Sequence, residues 1–582
     1  MEHKQQITKV CSNLRFIWNL APGSFIEMIA FGLLNCGLSV ANVWAIRQML
    51  SVVQDGYGET LFRSVSIYAL LLLLSAVYSV WYKRYRVQFH VILDFEKQLR
   101  AKLHEKSGRI SNETFETHQS NAVIRMADSA RQHLFRYVEI WVSIVLAILQ
   151  AVAVVSYVAS FQIWFLLLLP LAIVPPCLEL AYQSKHWQKY HKAIEQCQWE
   201  ESEYLKALTD EVACKESRVT YAATLLSDKW HGSRSTREEI ENKRSRKMLG
   251  LRLILTPASI LGSSGGFLVS VLLLYFGKID YASCTAGIAA YASLLAAFSS
   301  LAGMFGNESQ YRKMIQPFFQ YWEFPERAGD GDKLDFEQEI RLDHVSFRYP
   351  GQSKNAVEDI DLTIRKGEVI AIVGENGAGK TTLSNLILGL FQPSSGAIYY
   401  DQTNIAHVKE PAIHKLQSTV SQTFNRYKMT VRDNISIGDF EKQRGQEILQ
   451  KYNEFFSGSS ITPDTLLGKE FGGTELSGGQ WQQISCARGF YRDCKILVLD
   501  EATSAIDPLK EKAMYDSFRK ELAGKTGIII THRLSAVSLA SRIVVLDQGR
   551  IVQSGTHQEL LGEEGLYSQF WNTQTKQYDI KS

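Results

Sequence analysis

A glycine-rich turn that begins at Gly374 carries the first residues whose types and spacing could do chemistry. The surrounding stretch reads EVIAIVGENGAGKTTLSNLILGL, and Gly374, Gly379, Lys380 and Thr381 satisfy the pattern GxxxxGK[ST]. In this pattern backbone N–H groups hold phosphates at a helix N-terminus, the lysine reaches the β and γ oxygens, and the hydroxyl binds Mg²⁺. The apolar residues before the turn predict a strand and those after it predict an amphipathic helix. The sequence therefore predicts a nucleotide phosphate site.

Two consecutive carboxylates, Asp500 and Glu501, stand at the end of a second apolar run, which reads KILVLD and begins at Lys495. The run predicts a strand, so both acids would lie at a strand end. One acid in this position can hold Mg²⁺ while its neighbour orients or deprotonates water. The pair therefore predicts hydrolysis of the bound nucleotide.

Between these two strands lies the segment LSGGQWQQISCAR. Its LSGGQ, Leu476 to Gln480, resembles the signature sequence of ATP-binding cassette (ABC) transporters, which other P-loop NTPases lack. Further landmarks stand in the order of that family: Tyr349 resembles the adenine-stacking aromatic, Gln422 the Q-loop, Ser504 to Asp507 the D-loop and His532 the switch histidine. Each of these residues is common in isolation, as a strand aromatic, a surface amide or a loop histidine, so the resemblance depends on their joint order.

The resemblance implies a role for each landmark. Lys380, Thr381, Asp500 and Gln422 would serve phosphate and Mg²⁺, Glu501 would be the general base, and His532 would contact the γ-phosphate. ATP in this family lies between the P-loop of one subunit and the signature of the other, so Ser477 and Gly479 would close on the partner's ATP. No element is degenerate, and a homodimer with two competent sites is expected. The predicted catalytic residues are Glu501, His532 and Gln422, the predicted magnesium ligands are Thr381, Gln422 and Asp500, and the predicted ATP-binding residues are Tyr349, Gly374, Glu375, Asn376, Gly377, Ala378, Gly379, Lys380, Thr381, Thr382, Ser477, Gly478, Gly479 and Gln480.

The N-terminal half contains long apolar runs. Residues 64–82, 140–178, 253–277 and 281–307 carry no charge, and residues 23–46 are apolar apart from Glu27 and a few amides. A membrane helix needs about 20 apolar residues, and the run 140–178 is long enough to cross twice. The sequence therefore predicts six transmembrane helices, at about 23–46, 64–82, 140–158, 161–178, 253–277 and 281–307.

Lysine and arginine are concentrated in the segments 83–139 and 179–252, whereas residues 51–60, 158–162 and 278–280 contain a single lysine. The positive-inside rule then places both long segments and both termini in the cytoplasm. Past Asn307 a charged connector leads into alternating strands and helices. We expect a membrane domain at 1–310 with long cytoplasmic helical extensions, a linker at 311–335 and an α/β P-loop ABC ATPase domain at 336–582, in a bacterial cytoplasmic membrane.

The cargo is addressed by a finer resemblance, to exporters of lantibiotics and related bacteriocin peptides. GGTELSGGQWQQISCAR, with Trp481 directly after the signature, and QTFNRYKMTVRDNISIGD are similar to that subgroup. TLLGKEFGG places Lys469 where drug and lipid exporters commonly have glutamate. No peptidase-sized domain precedes the first predicted span, so leader cleavage by this chain is not expected. Peptide export is the leading expectation, a multidrug or lipid exporter is the alternative, and a regulatory ATP-binding membrane protein is disfavoured by the intact Glu501 and signature.

Composition excludes other classes of protein. The chain has 63 Lys and Arg residues against 60 Asp and Glu residues, a net charge of +3, which is too small to indicate a nucleic-acid partner. Its eight cysteines include no CxxC pair and no cluster at zinc spacing, so neither a disulfide framework nor a zinc site is expected.

Two further expectations concern cargo and motion. At 100° per residue, polar residues of the first span fall within about 80° of one another; the stripes are Ser24, Glu27, Asn35 and Asn42 in this span, Ser259, Ser263 and Ser270 in the fifth, and Ser293, Ser300 and Asn307 in the sixth. They would either line a water-accessible cavity in which Glu27 favours cationic cargo or serve as contacts between helices. Short helices near Glu113 to Ala122 and Cys214 to Tyr221 would transmit motion, unless these segments are only solvated turns.

Overall fold

The computed structural model describes residues 12–55, 58–159, 169–327, 329–441, 445–456, 461–503 and 508–579. The chain divides into two compact units. The helical unit comprises Met1–Gly108 and Ala122–Glu323, and the α/β unit comprises Arg109–Asn121 and Phe324–Ser582. A short segment from the N-terminal half, Arg109–Asn121, thus belongs to the same unit as the C-terminal domain.

Long helices make up the helical unit. They are α1 (12–20), α2 (Pro22–Asp55), α3 (Gly58–Val77), a π-helical stretch (Tyr78–Val91), α4 (Ile92–Ser107), α5 (His118–Ala159), α6 (Leu169–Thr209), α7 (Glu211–Val219), α8 (Ala222–Tyr275), α9 (Tyr281–Met314) and α10 (Gln316–Trp322). Helices α6 and α8 pack along each other, and Arg237 of α8 lies 3.2 Å from Glu201 of α6. The polar ends of α6 and α8, which lie outside their apolar segments, are therefore joined by ion pairs.

Five helices of the described chain are long and apolar enough to cross a membrane: Pro22–Val52, Thr60–Ser107, Ser120–Tyr157, Ala222–Tyr275 and Tyr281–Trp322. They correspond to five of the predicted spans, two of which are predicted to end one or two residues later. The remaining one, 161–178, lies outside the described residues as far as position 168, and its described part is the start of α6, where a shorter apolar helix covers Ile173–Tyr182. The number six therefore stays a prediction.

Two sheets form the α/β unit. Their strands are β1 (Glu339–Phe347), β2 (Val357–Arg365), β3 (Val369–Val373), β4 (Ser395–Tyr400), β5 (Thr403–Asn404), β6 (Gln417–Val420), β7 (Ile496–Asp500), β8 (Thr526–Ile530), β9 (Arg542–Asp547) and β10 (Arg550–Gly555). An antiparallel sheet has the order β2-β1-β4-β5, and a mixed sheet has the order β10-β9-β3-β8-β7-β6. In the mixed sheet β9, β3, β8, β7 and β6 are parallel neighbours. Strands β7 and β8 are buried along their whole length, which explains their unbroken apolar runs.

The helices of the α/β unit connect these strands. They are α11 (Lys380–Ile387), α12 (Glu410–His414), α13 (Val431–Ser436), α14 (Gly445–Phe456), α15 (Gly478–Tyr491), α16 (Pro508–Leu522), α17 (Leu534–Val537), α18 (His557–Gly562) and α19 (Leu566–Asp579), with 3₁₀ turns at Asn112–Glu116, Ile405–His407, Ile437–Asp439 and Lys469–Phe471. Because parallel strands end at the same edge of a sheet, the segments that follow β3, β6, β7 and β8 meet at one edge. That edge positions the candidate site.

Candidate nucleotide site

A cavity of about 980 Å³ opens at this edge of the mixed sheet. Of the residues predicted from sequence, it is lined by Tyr349, Gly374, Glu375, Asn376, Gly377, Gly379, Lys380, Thr381, Thr382, Gln422, Glu501 and His532. The turn between β3 and α11 needs glycine at Gly379, whose φ is +99°, and a Cβ there would lie 2.5 Å from the carbonyl oxygen of Ala356. The sequence between β3 and α11 therefore forms an open cradle of backbone at a helix N-terminus.

Lys380 begins α11 and is 7% exposed. Its Nζ donates to the carbonyl oxygens of Gly374 and Glu375, at 2.8 Å in each case. Burial lowers the pKa of this ammonium group, and the nearby Glu501 and Asp500 carboxylates act in the opposite direction. The amine is thus held inside the turn by neutral acceptors, where a phosphate oxygen would be a stronger partner.

Glu501 follows β7 and is fixed by both backbone and side chain. Its φ is +47°, a left-handed value that is uncommon for a residue with a Cβ, and its N–H donates to the carbonyl oxygen of Ile530 at 3.0 Å. Gln422 Nε2 donates to Oε2 at 2.7 Å, and His532 Nδ1 lies 3.0 Å from Oε1. The predicted base, Q-loop amide and switch histidine therefore form one hydrogen-bonded group.

Asp500, the last residue of β7, is 8% exposed, and within the described chain its Oδ1 has no hydrogen-bond partner. Burial, followed by the charge of Glu501, raises the pKa of Asp500 to about 6, while the Thr381 hydroxyl acts to lower it. A buried carboxylate oxygen without a donor is costly unless a cation meets it. Hydroxyl and carboxylate oxygens are the ligands that Mg²⁺ prefers, so Thr381 and Asp500 fit this ion.

Tyr349 lies at one side of the cavity, and its hydroxyl is 3.0 Å from Oγ1 of Thr382. Its ring packs edge-on against Phe347, with centroids 5.1 Å apart, and against Phe391 at 5.7 Å. These contacts hold the ring in one orientation beside the phosphate turn. An aromatic surface is thus available next to the phosphate cradle.

The signature residues do not line this cavity. Ser477 caps α15: its Oγ accepts from the N–H of Gln480 at 3.3 Å, and Gln480 Oε1 accepts from the N–H of Ser477 at 2.9 Å. Gly478 and Gly479 form the first turn of the same helix. Of the other predicted residues, Ala378 and Asp500 are buried beside the cavity lining rather than in it, and the predicted D-loop, 504–507, lies outside the described residues.

Some residues that line the cavity were not predicted from the sequence, among them Arg533, Tyr567 and Phe570. Arg533 directly follows His532, and its Nη1 lies 2.6 Å from Glu511 Oε1. Tyr567 and Phe570 come from α19, and the Tyr567 hydroxyl is 2.7 Å from His557 Nδ1. Proximity to His532 could have indicated Arg533, but no local pattern marks the two aromatic residues of α19.

One predicted loop tip contacts residues of the C-terminal domain within the α/β unit. Residues Asn112–Glu116 form a 3₁₀ turn, and Asn112 Nδ2 donates to the Leu390 carbonyl at 3.1 Å. Glu113 Oε1 accepts from the N–H of Gln392 at 2.5 Å. The second tip contains α7 of the helical unit, and this helix ends at Val219. Val219 and Tyr221 are 81% and 88% exposed. Both tips therefore contain short helices.

The predicted polar stripes divide in the helical unit. Asn35 and Ser300 line a common cavity of about 300 Å³ together with Ser143 and Gln150. Glu27 is instead paired with Arg86 of the π-helical stretch, whose Nε and Nη2 lie 2.9 and 3.2 Å from the two carboxylate oxygens.

The stripe residues of α8 make contacts within their own helix. Ser263 and Ser270 donate to the carbonyl oxygens of Ile260 and Gly266. In the described chain Glu27 is paired with Arg86, and the expectation that Glu27 favours cationic cargo stays a prediction.

Comparisons with known proteins agree with this geometry. Residues 357–504 match the family described as ABC transporter. Over 578 residues, 95% of this chain and 92% of the relative, the sequence is 28% identical to the subtilin transport ATP-binding protein SpaT of Bacillus subtilis. It is 37% identical to the ATP-dependent lipid A-core flippase of Acinetobacter baylyi over 257 residues, 43% of this chain and 44% of the flippase.

The fold is similar to that of a bacterial Atm1-family ABC exporter solved with ATP bound. The TM-score is 0.80 and the sequence identity 20%, and the similarity covers 95% of this chain and 98% of the exporter chain. At this identity the likeness concerns the fold.

Proposed function

We propose that this chain, an ABC transporter in which an ATPase domain is joined to a membrane domain and ATP hydrolysis is coupled to transport, exports a peptide from the cytoplasm. The observation that carries the proposal is the similarity to a subtilin transport protein, which extends over 95% of the chain. The similarity to the lipid A-core flippase has a higher sequence identity but covers only 43% of this chain. The longer match includes the helices that would contact cargo, so it bears more directly on cargo.

The working form would be a homodimer in a bacterial cytoplasmic membrane. A single chain provides the phosphate turn and Glu501, but Ser477 to Gln480 do not line its cavity. A second copy could present Ser477 and Gly479 to the open side of each cavity, which would give two composite sites. Both termini and both basic segments would face the cytoplasm. The domains would be the membrane domain at 1–310, the linker at 311–335 and the ATPase domain at 336–582.

The residues of the cavity divide the hydrolysis of ATP among them. The backbone of 374–382 and Lys380 would bind the phosphates, with Tyr349 beside the adenine. Thr381, Asp500 and Gln422 would hold Mg²⁺, which when bound neutralises charge on the β and γ oxygens. Glu501 would accept a proton from the attacking water.

The water oxygen would then bond to the γ-phosphorus as the bond to ADP breaks. Gln422 and His532 hold the Glu501 carboxylate in place for this step. The contact of Glu113 with Gln392 would carry the resulting change from the ATPase domain to the preceding and following helices.

Reconstitution tests the cargo. The purified protein in proteoliposomes would be given ATP with either subtilin or fluorescent lipid A, and both ATPase stimulation and movement of the labelled cargo would be measured. We expect stimulation and uptake with the peptide, and neither in the Glu501→Gln variant. Movement of lipid A between the leaflets without uptake of peptide would favour the second candidate function, a lipid flippase. The 37% identity to the lipid A-core flippase supports this candidate.

A further inference from the structure

A cavity of about 480 Å³ that is lined by basic side chains lies between α6 and α8 in the helical unit. We name it the basic cleft and define it by the tyrosine and cationic side chains of its lining: Tyr182 and Tyr190 of α6 and Arg244, Arg246, Lys247 and Arg252 of α8. Its volume is within the range of about 300–1,000 Å³ that is usual for small-ligand sites. The described lining includes four cations and no carboxylate, so its ligand would be an anion.

Helix periodicity brings four of these side chains together in pairs. Arg244 and Arg252 are about two turns apart on α8, and Tyr182 and Tyr190 are about two turns apart on α6, so each pair lies near one helix face. Arg252 Nε lies 2.6 Å from Oε1 of Glu179, which joins the two helices at one end of the cleft. The cleft is therefore a fixed feature of the α6 and α8 packing.

The charges of the cleft are incompletely balanced. Glu179 forms an ion pair with Arg252, whereas Arg246 and Lys247 are exposed and form no ion pair with the residues that the structure describes. Arg244 and Lys247 are three residues apart on α8, and like charges at this spacing repel each other. Guanidinium groups and tyrosine hydroxyls are donors that match the oxygens of a phosphate. A phosphate group would thus relieve the repulsion and accept these hydrogen bonds.

The surroundings of the cleft indicate where the phosphate comes from. The apolar helix Ile173–Tyr182 ends at the cleft on α6, and the uncharged run 253–277 begins directly after Arg252 on α8. Beside the cleft, Leu249, Leu253 and Ile254 are 58%, 68% and 75% exposed. We propose that the basic cleft binds the phosphate of an anionic phospholipid at the cytoplasmic face of the membrane, while these exposed side chains contact its acyl chains. The inference rests on the membrane function proposed above.

The test compares two charge-matched double variants of the full-length protein in detergent. Arg246→Gln/Lys247→Gln removes two cations from the cleft, and Lys206→Gln/Lys229→Gln removes two exposed cations of the same unit that do not line it. Binding of phosphatidylglycerol, phosphatidylcholine and inorganic phosphate would be measured by native mass spectrometry. We expect the cleft variant to lose at least about tenfold in affinity for phosphatidylglycerol, since each cation near a membrane surface contributes to anionic lipid binding. The control variant should bind like the wild type.

Each outcome has a defined meaning. Unchanged phosphatidylglycerol affinity in the cleft variant, with its thermal unfolding matched to the control, would overturn the site. Displacement of phosphatidylglycerol by millimolar inorganic phosphate would assign the cleft to free phosphate and overturn the lipid source. Peptide uptake measured on the same preparations keeps the two proposals apart: loss of lipid binding with uptake intact bears on the cleft, and absence of uptake with lipid binding intact bears on the proposed function.

Discussion

Replacement of Glu501 by glutamine tests the hydrolytic step with a small change of shape. The carboxylate accepts from Gln422 at 2.7 Å and lies 3.0 Å from His532, and the side chain is 13% exposed. Glutamine has the same length and keeps one carbonyl oxygen, but it cannot take a proton from water. The backbone at φ +47° is the same in both proteins, because neither side chain is branched at Cβ.

The expected effect follows from these contacts. A positioned general base typically contributes about 10²–10⁴-fold to rate, so turnover should fall by about that factor, which corresponds to ~2.7–5.4 kcal/mol in the barrier. Of the two hydrogen-bond partners of Glu501, one would now face an amide N–H, and losing one such bond reduces the free energy of unfolding by about 1 kcal/mol. ATP affinity should be unchanged, because Lys380 and the 374–382 backbone are not altered.

Phosphate release and the affinity for a fluorescent ATP analogue would be measured on the same preparation. Asp516→Asn, on the exposed side of α16, removes the same charge outside the cavity lining and serves as the control. A Glu501→Gln variant with wild-type turnover would refute the assignment of the base. A variant that loses ATP affinity in proportion to turnover would show that the carboxylate acts in binding rather than in proton transfer.

Three further outcomes are expected. Co-assembled Ser477→Arg and Lys380→Ala subunits should regain ATPase activity that neither has alone, because a mixed dimer keeps one intact composite site; no recovery in separately tagged mixed dimers would count against such sites. Glu113→Ala removes the acceptor of the Gln392 N–H, so we expect cargo-stimulated ATPase to fall by about 5–150-fold, the equivalent of ~1–3 kcal/mol of lost coupling, while basal ATPase persists. Burial and the charge of Glu501 raise the pKa of Asp500 to about 6. The carboxylate of Asp500 therefore binds a proton more tightly in the folded, metal-free protein than in the unfolded chain, and the free energy of unfolding rises as the pH falls. Asp500→Asn should therefore raise the melting temperature in EDTA at about pH 8, and this advantage should vanish below about pH 4, the ordinary aspartate range.

The phosphate turn could be predicted from sequence because its requirements are local. Gly379 must adopt a left-handed φ and must lack a Cβ, and Lys380 follows it at the start of a helix, so a short pattern records both needs. The strand that ends at Asp500 is equally local, since burial on both faces requires an unbroken apolar run. The resemblance to ABC transporters then connected these segments to Gln422 and His532, which the structure places beside Glu501.

Features that depend on distant packing were not predicted. Tyr567 and Phe570 line the nucleotide cavity from a helix that lies nearly 200 residues after the phosphate turn, and their local sequence has no distinguishing pattern. The ion pair of Glu27 with Arg86 joins residues 59 positions apart, and Arg86 lies in the π-helical stretch Tyr78–Val91. Helical phase could place Glu27 on a polar face but could not supply its partner.

That ion pair changes the argument about cargo in the helical unit. A cationic cargo would compete for Glu27 with Arg86, which makes two hydrogen bonds with its carboxylate. The cavity lined by Asn35 and Ser300 offers amides and hydroxyls, together with the Glu139 carboxylate, which is paired with Arg136 at 2.6 Å. Amide and hydroxyl groups can donate and accept, as peptide amides do along any sequence. Recognition through these amides and hydroxyls would engage the peptide backbone, which agrees with the peptide cargo that we propose.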